Sequence, residues 1–245
     1  MTSQNFQITG SNFGFSGVTV DTLGASEYTL VTIAVDTTGS THGFSNELRD
    51  CLISAVEACQ KSPRSDNLLL RVIEFSTSCG NDGMKEIHGF TPLIDINTSD
   101  YPQFRPDGLT PLYDAVFSSV GAMIDYGETL MENDYLVNAI AFIITDGYDN
   151  RSTTTPKMIA EKLESVNQDE QLESLVSILI GVNAQGYQNE LTEFRQQAKI
   201  DEYIDAGDAS KSKLAKLANF VSQSVSSQSQ ALGTGGPSQE ISATI

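Results

Sequence analysis

The segment VTIAVDTTGS, residues 31–40, decides which fold the chain adopts. It overlaps a nearly unbroken apolar, β-branched run over residues 29–35, which is typical of a strand buried on both faces of a sheet. The run ends at Asp36, and hydroxyl side chains follow at Thr38 and Ser40, with Gly39 permitting a tight turn. A buried strand followed by a short polar loop predicts one strand of an open parallel sheet, with the loop at the ligand-binding edge.

Strand and helix patterns alternate on the C-terminal side of this segment. Strand-like apolar runs cover residues 67–76, 138–145, 175–182 and 202–206, and helical periodicity covers residues 44–61, 112–125, 155–166, 189–200 and 210–225. Residues 86–96 contain Pro92, which cannot donate to a ladder, so we expect an edge strand or an extended loop there. The alternation predicts a doubly wound α/β fold of Rossmann-like type, with a mainly parallel central sheet and helices on both faces.

The chain of 245 residues is predicted to form one large domain, because no linker-like composition interrupts its middle. Two ends fall outside the alternation. Residues 1–27 are rich in Gly, Ser and Thr, so we expect an N-terminal extension that forms a hairpin or wraps the domain. Residues 229–245 lack periodicity, and we expect a flexible tail.

Composition and cysteine content indicate which partners the protein can bind and in which compartment we expect it. A net charge of −18 argues against nucleic acid, whose binding depends on Lys and Arg. Cys51 and Cys59 stand eight positions apart in one predicted helix, about 12 Å, so they cannot form a disulfide. The N-terminus does not resemble a secretion signal, and no apolar run reaches the roughly 18 residues of a membrane span. We therefore expect a cytoplasmic protein that does not enter a membrane.

Oxygen-bearing side chains from three segments are predicted to meet at one edge of the sheet. Asp36 and Asp146 each follow a buried strand, and the carboxyl ends of parallel strands share an edge. Hydroxyls and carboxylates without His or Cys suit a hard cation such as Mg²⁺. The predicted metal ligands are Asp36, Thr38, Ser40, Thr110 and Asp146.

Each segment taken alone also has an ordinary structural interpretation. Ser, Thr and Asp after strands are common turn and cap residues. Thr110 and Pro111 fit the N-cap and N1 positions of the helix that follows. Asp149 and Asn150 are expected to organise their own turn rather than to bind an ion. The metal prediction depends on the joint occurrence of the three segments in this order.

Over roughly residues 28–228 the chain resembles the von Willebrand factor A domain, in particular intracellular bacterial members of that family. The motif Asp-x-Ser-x-Ser stands here as Asp36, Thr38 and Ser40, with Thr in place of the first Ser. Gly-Gly-Thr stands as residues 108–110 with Leu109 in its middle, and Thr/Ser-Asp-Gly stands intact as residues 145–147. The resemblance implies a metal-ion-dependent adhesion site.

In that site, the resemblance implies that Thr38 and Ser40 bind Mg²⁺ (or Mn²⁺) directly and that Thr110 joins them in one loop conformation. Asp36 and Asp146 would act mostly through bound water. The implied function is non-enzymatic: an open position on the ion captures an Asp or Glu side chain of a partner protein. The implied partners are AAA+ ATPases of the MoxR type or stress systems such as tellurium resistance. A structural assembly component with an idle metal site is the alternative within the same fold.

An enzymatic alternative comes from a second resemblance. The sequence DTTGS, residues 36–40, fits the D-x-T-G-[ST] pattern of haloacid-dehalogenase-like phosphatases, in which Asp36 would be the nucleophile. Such enzymes need a Lys, or sometimes an Arg, for the phosphoryl group before the acidic loop. No lysine lies between Lys85 and Lys157, and Arg105 is the only arginine there before Arg151. These enzymes also usually place a second Asp where this chain has Thr38. The binding module is therefore the favoured interpretation.

Overall fold

The computed structural model describes residues 2–80, 82–169 and 172–234. Within these ranges the chain forms a mixed α/β fold around an eight-stranded sheet of order β1-β2-β5-β4-β3-β6-β7-β8. The strands are β1 (Ser3–Gln7), β2 (Gly14–Val18), β3 (Glu27–Asp36), β4 (Leu68–Phe75), β5 (Met84–Pro92), β6 (Leu136–Thr145), β7 (Ser174–Gly181) and β8 (Glu202–Asp205). The strands β4, β3, β6, β7 and β8 pair in parallel, and β5 runs antiparallel to β4.

Helices cover both faces of this sheet. They are α1 (Ser45–Gln60), α2 (Leu112–Met131), α3 (Pro156–Asp169), α4 (Gln188–Gln197) and α5 (Lys211–Thr234). One apolar core lies between the sheet and α2, α3 and α4, and a second lies between the sheet and α1 and α5. None of the helices in the described part of the chain combines the length and apolar character that a membrane crossing requires. The doubly wound arrangement predicted from the alternating patterns is confirmed.

The central strand β3 fixes where a ligand can bind. It is buried along almost its whole length and pairs with β4 on one side and β6 on the other. After β3 the chain builds outward through β4 and β5, then returns through α2 to add β6 on the opposite side. The order of strands therefore reverses between β3 and β6, and the loops that follow them diverge. In doubly wound sheets such a crevice at the carboxyl edge is the usual ligand site.

Of the two alternatives expected for residues 86–96, an edge strand or an extended loop, residues 86–92 form a strand and residues 93–96 lie outside the sheet, but the expected edge position was wrong. Strand β5 pairs antiparallel with β4, and its Phe90 pairs with Gly17 of β2, so the hairpin of β1 and β2 covers the sheet edge. Pro92 is the last residue of β5, where the missing donor is tolerated. Phe90 stacks on Tyr126 of α2 with ring centroids 5.0 Å apart, and Phe15 of the hairpin packs edge-on against both rings. Aromatic packing thus holds residues 3–18 onto the domain.

The expected tail from residue 229 is also corrected by the structure. Helix α5 continues to Thr234, so residues 229–234 are helical, and residues 235–245 lie outside the described residues. The last turns are held by buried Leu232 and by Ser229, whose hydroxyl accepts a hydrogen bond from Arg64 Nε at 3.0 Å. Small polar side chains face the core here, so the sequence shows little apolar periodicity even though the helix packs along its length.

The close approach of the hairpin to β5 predicts a steric defect at Gly89. A Cβ at Gly89 would lie 2.1 Å from both the carbonyl and hydroxyl oxygens of Ser16. We expect Gly89→Ala to lower the free energy of unfolding by about 2 kcal/mol, because the hairpin must shift. Urea denaturation measures this loss. The matched control is Gly24→Ala, whose Cβ would meet nothing within 4 Å. Equal stability of the two variants would contradict the tight docking of the hairpin.

Candidate metal site

The predicted site residues occupy the reversal point of the sheet. Asp36 is the last residue of β3, and Asp146 directly follows β6. Thr38 and Ser40 lie in the loop after β3, and Thr110 stands two residues before α2. Because β3 and β6 are neighbouring parallel strands, their carboxyl ends bring both carboxylates to the same edge. The structure therefore brings the sequence-predicted set together.

A chain of hydrogen bonds connects the side chains. Thr110 Oγ1 donates to Thr38 Oγ1 at 3.4 Å, and the hydroxyls of Thr38 and Ser40 lie 3.1 Å apart. Ser40 Oγ donates to Asp146 Oδ1 at 2.8 Å. Asp36 joins through its Oδ1, which accepts a hydrogen bond from the backbone N–H of Thr38 at 2.9 Å. Three hydroxyls and two carboxylates from three distant segments thus form one cluster.

Thr145, the last residue of β6, anchors this cluster and was not among the predicted ligands. Its hydroxyl donates to Asp36 Oδ2 at 2.7 Å, so both oxygens of that carboxylate accept hydrogen bonds. The same hydroxyl lies 3.1 Å from the carbonyl oxygen of Gly147. The motif Thr-Asp-Gly therefore orients Asp36 across the strand pair as well as supplying Asp146. The sequence signal was the threonine of that motif.

The two carboxylates are buried close to each other without a basic partner. Burial, reinforced by the neighbouring charge of Asp146, raises the pKa of Asp36 to about 6. Burial raises the pKa of Asp146 as well. Among the described residues, none of the ion pairs with Lys or Arg includes either carboxylate. A divalent cation would offset this repulsion, because an opposite charge nearby favours the ionised form.

The donor set fits a hard cation. Hydroxyl and carboxylate oxygens are the ligands that Mg²⁺ and Mn²⁺ take in proteins, and Mg²⁺ commonly keeps several waters. Within the described ranges no three His, Cys, Asp or Glu side chains form a group able to hold a metal, so a site here must depend on hydroxyls. The hydroxyl residues that would hold such an ion are Thr38, Ser40 and Thr110, with Asp36 and Asp146 beside them.

Asn150 positions Thr110, and sequence reasoning missed this role. The backbone N–H of Thr110 donates to Asn150 Oδ1 at 2.8 Å, and the N–H of Asn150 donates to the Thr110 carbonyl at 3.1 Å. Asp149 likewise accepts from the backbone N–H of Tyr113 at 3.2 Å, as well as from Ser152 in its own turn. Thr110 and Asn150 lie 40 positions apart in the sequence, so no local sequence pattern could reveal their contact.

The N-cap interpretation of Thr110 was wrong. Helix α2 begins at Leu112, Pro111 occupies the N-cap position, and no side chain at that position caps the helix. The free N–H groups of Tyr113 and Asp114 are instead satisfied by Asp149 and by Ser152 from the loop after β6. Because another loop caps the helix, the hydroxyl of Thr110 is left to face the cluster.

Gly108 lets the Thr110 loop approach the end of β4. It has a φ of +77°, and a Cβ there would lie 2.6 Å from Thr77 Oγ1. The carbonyl of Gly108 accepts a hydrogen bond from Gly39 N–H at 3.2 Å, and Thr77 Oγ1 accepts from Leu109 N–H at 2.9 Å. The left-handed backbone conformation therefore ties this loop to the loop that carries Thr38 and Ser40.

No protein-family model matches the chain, and neither does any curated protein. Solved structures do share its fold. The pilus adhesin SpaC from Lactobacillus rhamnosus GG, in its open conformation, aligns with a TM-score of 0.56 at 12% identity, covering 82% of this chain and 30% of the adhesin. The PilB minor pilin from Streptococcus sanguinis aligns with a TM-score of 0.53 at 14% identity, covering 87% of this chain and 64% of the pilin.

A third structure is proximal thread matrix protein 1 from the mussel byssus, described with a zinc-occupied MIDAS motif, the abbreviation for metal-ion-dependent adhesion site. It aligns with a TM-score of 0.52 at 15% identity, covering 81% of this chain and 46% of that protein. The chain thus spans 30 to 64% of the length of these three structures. At such identities the likeness shows the fold alone, which is a Rossmann-like α/β fold.

The raised pKa of Asp36 predicts a specific pH dependence of stability in the absence of metal. Its folded pKa of about 6 exceeds the value of 3.8 for an ordinary Asp, so the folded state holds the proton more tightly. The contribution of Asp36 to the free energy of unfolding is therefore fully present below pH 3.8, and it is lost as the pH rises through about 6. We expect Asp36→Asn to raise the free energy of unfolding at pH 7.5 in EDTA by about 3 kcal/mol.

Urea denaturation of both proteins at pH 4.5 and pH 7.5 checks this expectation. The neutral amide can keep the local hydrogen bonds, because the Thr145 hydroxyl can turn toward the Gly147 carbonyl 3.1 Å away. The gain should shrink strongly at pH 4.5, where Asp36 is largely protonated in the folded wild type. A variant that is less stable than the wild type at pH 7.5 would contradict the electrostatic description.

Proposed function

We propose that this protein is a non-enzymatic protein-binding module that captures an Asp or Glu side chain of a partner through a bound Mg²⁺ (or Mn²⁺). The observation that carries the proposal is the convergence of three hydroxyls and two carboxylates without a basic partner. Thr38, Ser40 and Thr110 would hold the ion, with Asp36 and Asp146 acting mostly through water. When bound, the ion supplies positive charge at an otherwise acidic edge, where it can accept a carboxylate ligand.

The accessibility of the side chains supports capture from outside the domain. Ser40 is exposed, whereas Thr38, Thr110 and the two carboxylates are buried. A partner carboxylate would therefore approach over the loop that carries Ser40. The burial of Asp36 also favours a binding role over the phosphatase alternative, because a nucleophile must reach its substrate and both oxygens of Asp36 already accept hydrogen bonds.

The proposal also covers the kind of partner and the cellular compartment. The three structural neighbours are described as a pilus adhesin, a minor pilin and a matrix protein with a zinc-occupied adhesion motif, which favours adhesion over turnover by analogy of fold. Cys51, Cys59 and Cys79 carry free thiols, which agrees with a reducing cytoplasm. An AAA+ ATPase as the partner stays a prediction from the family resemblance, and an assembly role with an idle site is the alternative.

Metal titration by calorimetry tests the ion. We expect Mg²⁺ or Mn²⁺ to bind the wild type, and Ser40→Ala to weaken the affinity roughly tenfold or more, because a direct ligand matters at least as much as its supporting partners. Asp36→Ala should abolish the heat of binding. The matched control is Ser99→Ala, an exposed serine in the turn between β5 and α2, outside the cluster. Equal heats for the wild type and Asp36→Ala would reject the metal site.

Partner capture in the presence and absence of chelator tests the bridging role. The immobilised wild type should retain a protein from a lysate in Mg²⁺ and release it in EDTA, because the ion forms the contact. Ser40→Ala should retain much less of the same protein, which mass spectrometry of the eluate identifies. Capture that persists unchanged in EDTA would count against a metal bridge.

A further inference from the structure

Large apolar side chains are exposed mainly at the edge of the sheet that carries the metal site. Among the described residues, four of the six most exposed ones belong to loops or first helical turns at the carboxyl edge: Leu109, Tyr148, Met158 and Tyr187. The other two, Ile94 and Leu136, lie at the opposite edge, after β5 and at the start of β6. Apolar exposure gathered around a polar site is typical of an interaction surface.

Tyr148 and Tyr187 form one side of this surface. Their rings come from the loops after β6 and β7, with centroids 5.2 Å apart, and they are 46% and 40% exposed. A Cβ at Gly147 would lie 3.8 Å from the Tyr187 ring, so this ring lies against the backbone next to Asp146. The aromatic pair therefore adjoins the metal site on the β7 side of the sheet.

Leu109 forms the other side of the surface. It precedes Thr110, is 50% exposed, and belongs to the loop fastened to the end of β4 by Thr77. The end of β3, with Ser40 after it, lies between β4 and β6 in the sheet order. A segment that runs from the Leu109 side to the tyrosines would therefore cross the end of β3, which precedes Ser40.

The charge of the surrounding loops restricts what such a segment can carry. Beyond the two site carboxylates, the loops at this edge hold Asp82, Asp107, Asp149 and Asp208 against Arg105 and Arg151. Additional acidic residues in a partner would be repelled away from the ion, whereas apolar or basic neighbours would not. Aromatic side chains are the common energetic anchors of protein interfaces.

We propose that the partner segment carries one Asp or Glu flanked by aromatic or aliphatic residues. The carboxylate reaches the ion while the flanking side chains pack on Leu109 and on the Tyr148–Tyr187 pair. This inference rests on the proposed function and adds a specificity-determining surface to it. Because the ion alone accepts any accessible carboxylate, the apolar contacts on both sides select among acidic partners.

Two synthetic peptides, acetyl-Gly-Phe-Asp-Phe-Gly-amide and acetyl-Gly-Gly-Asp-Gly-Gly-amide, test the surface by NMR titration of the full chain in excess Mg²⁺. We expect the Phe-flanked peptide to bind at least tenfold more tightly. Tyr148→Ala/Tyr187→Ala should remove this advantage while leaving the affinity for Mg²⁺ and for the Gly-flanked peptide unchanged. The matched control, Ile94→Ala/Leu136→Ala, removes exposed apolar side chains from the opposite edge and should change nothing.

The outcomes separate this inference from the proposed function. Equal affinities for the two peptides in Mg²⁺, with binding lost in EDTA, would overturn the apolar selection and leave the metal bridge standing. Failure of Mg²⁺ to bind in calorimetry would defeat the metal bridge itself and the inference with it. Absence of binding by either peptide at saturating Mg²⁺ would overturn the inference. So would a double tyrosine variant that changes only self-association in sedimentation, because the surface would then belong to a second copy of the chain.

Discussion

The parallel pairing of β3 with β6 is the contact on which the rest of this structure depends. It runs from Glu27 and Leu136 at one end to Val35 and Ile144 at the other, in continuous register. Residues that follow the last paired positions of the two strands lie at the same carboxyl edge of the sheet. Asp36 and Asp146 are therefore neighbours although they lie 110 positions apart in the sequence. A slip of one residue would turn every side chain of a strand to the opposite face, so the two buried cores fix the geometry of the cluster.

The cluster itself opposes stability in the metal-free protein. Both carboxylates are withdrawn from water, and their pKa values are raised by burial and, for Asp36, by mutual repulsion. If two buried carboxylates served only the stability of the fold, we would expect a basic side chain to pair with them or apolar side chains to stand in their place. The described ion pairs instead lie elsewhere, for example between Arg71 and Glu86 beneath the hairpin. Under the proposed function, a divalent cation resolves this conflict, which links the strain of the free domain to its binding activity.

The supporting loops explain how the hydroxyls keep their positions. Asn150 holds both backbone groups of Thr110, and Gly108 brings the same loop against Thr77 and Gly39. The Thr110 loop is therefore fixed from two sides, by the ends of β4 and of β6. Leu109 and Tyr148 are displayed on these same loops, and Tyr187 reaches Tyr148 from the loop after β7, so most of the apolar surface shares the support of the polar cluster. The hairpin of β1 and β2 covers the edge of the sheet at β5, so this strand is not left as an open edge.

The sequence by itself determined the fold class, the order of the main strands and helices, and the five side chains of the cluster. Apolar periodicity and the position of Asp36 and Asp146 after buried strands are local signals. Because the carboxyl ends of parallel strands lie at one edge of a sheet, these signals predict that the two carboxylates lie close together. Only the tertiary structure decided the features that depend on distant partners. Pro92 gave no indication that the hairpin pairs with β5, and Ser229 gave none that α5 continues to Thr234, because both depend on packing surfaces built elsewhere in the chain. The role of Asn150, the external capping of α2 and the apolar surface around the cluster arise from loops brought together by folding, and no local pattern encodes such contacts.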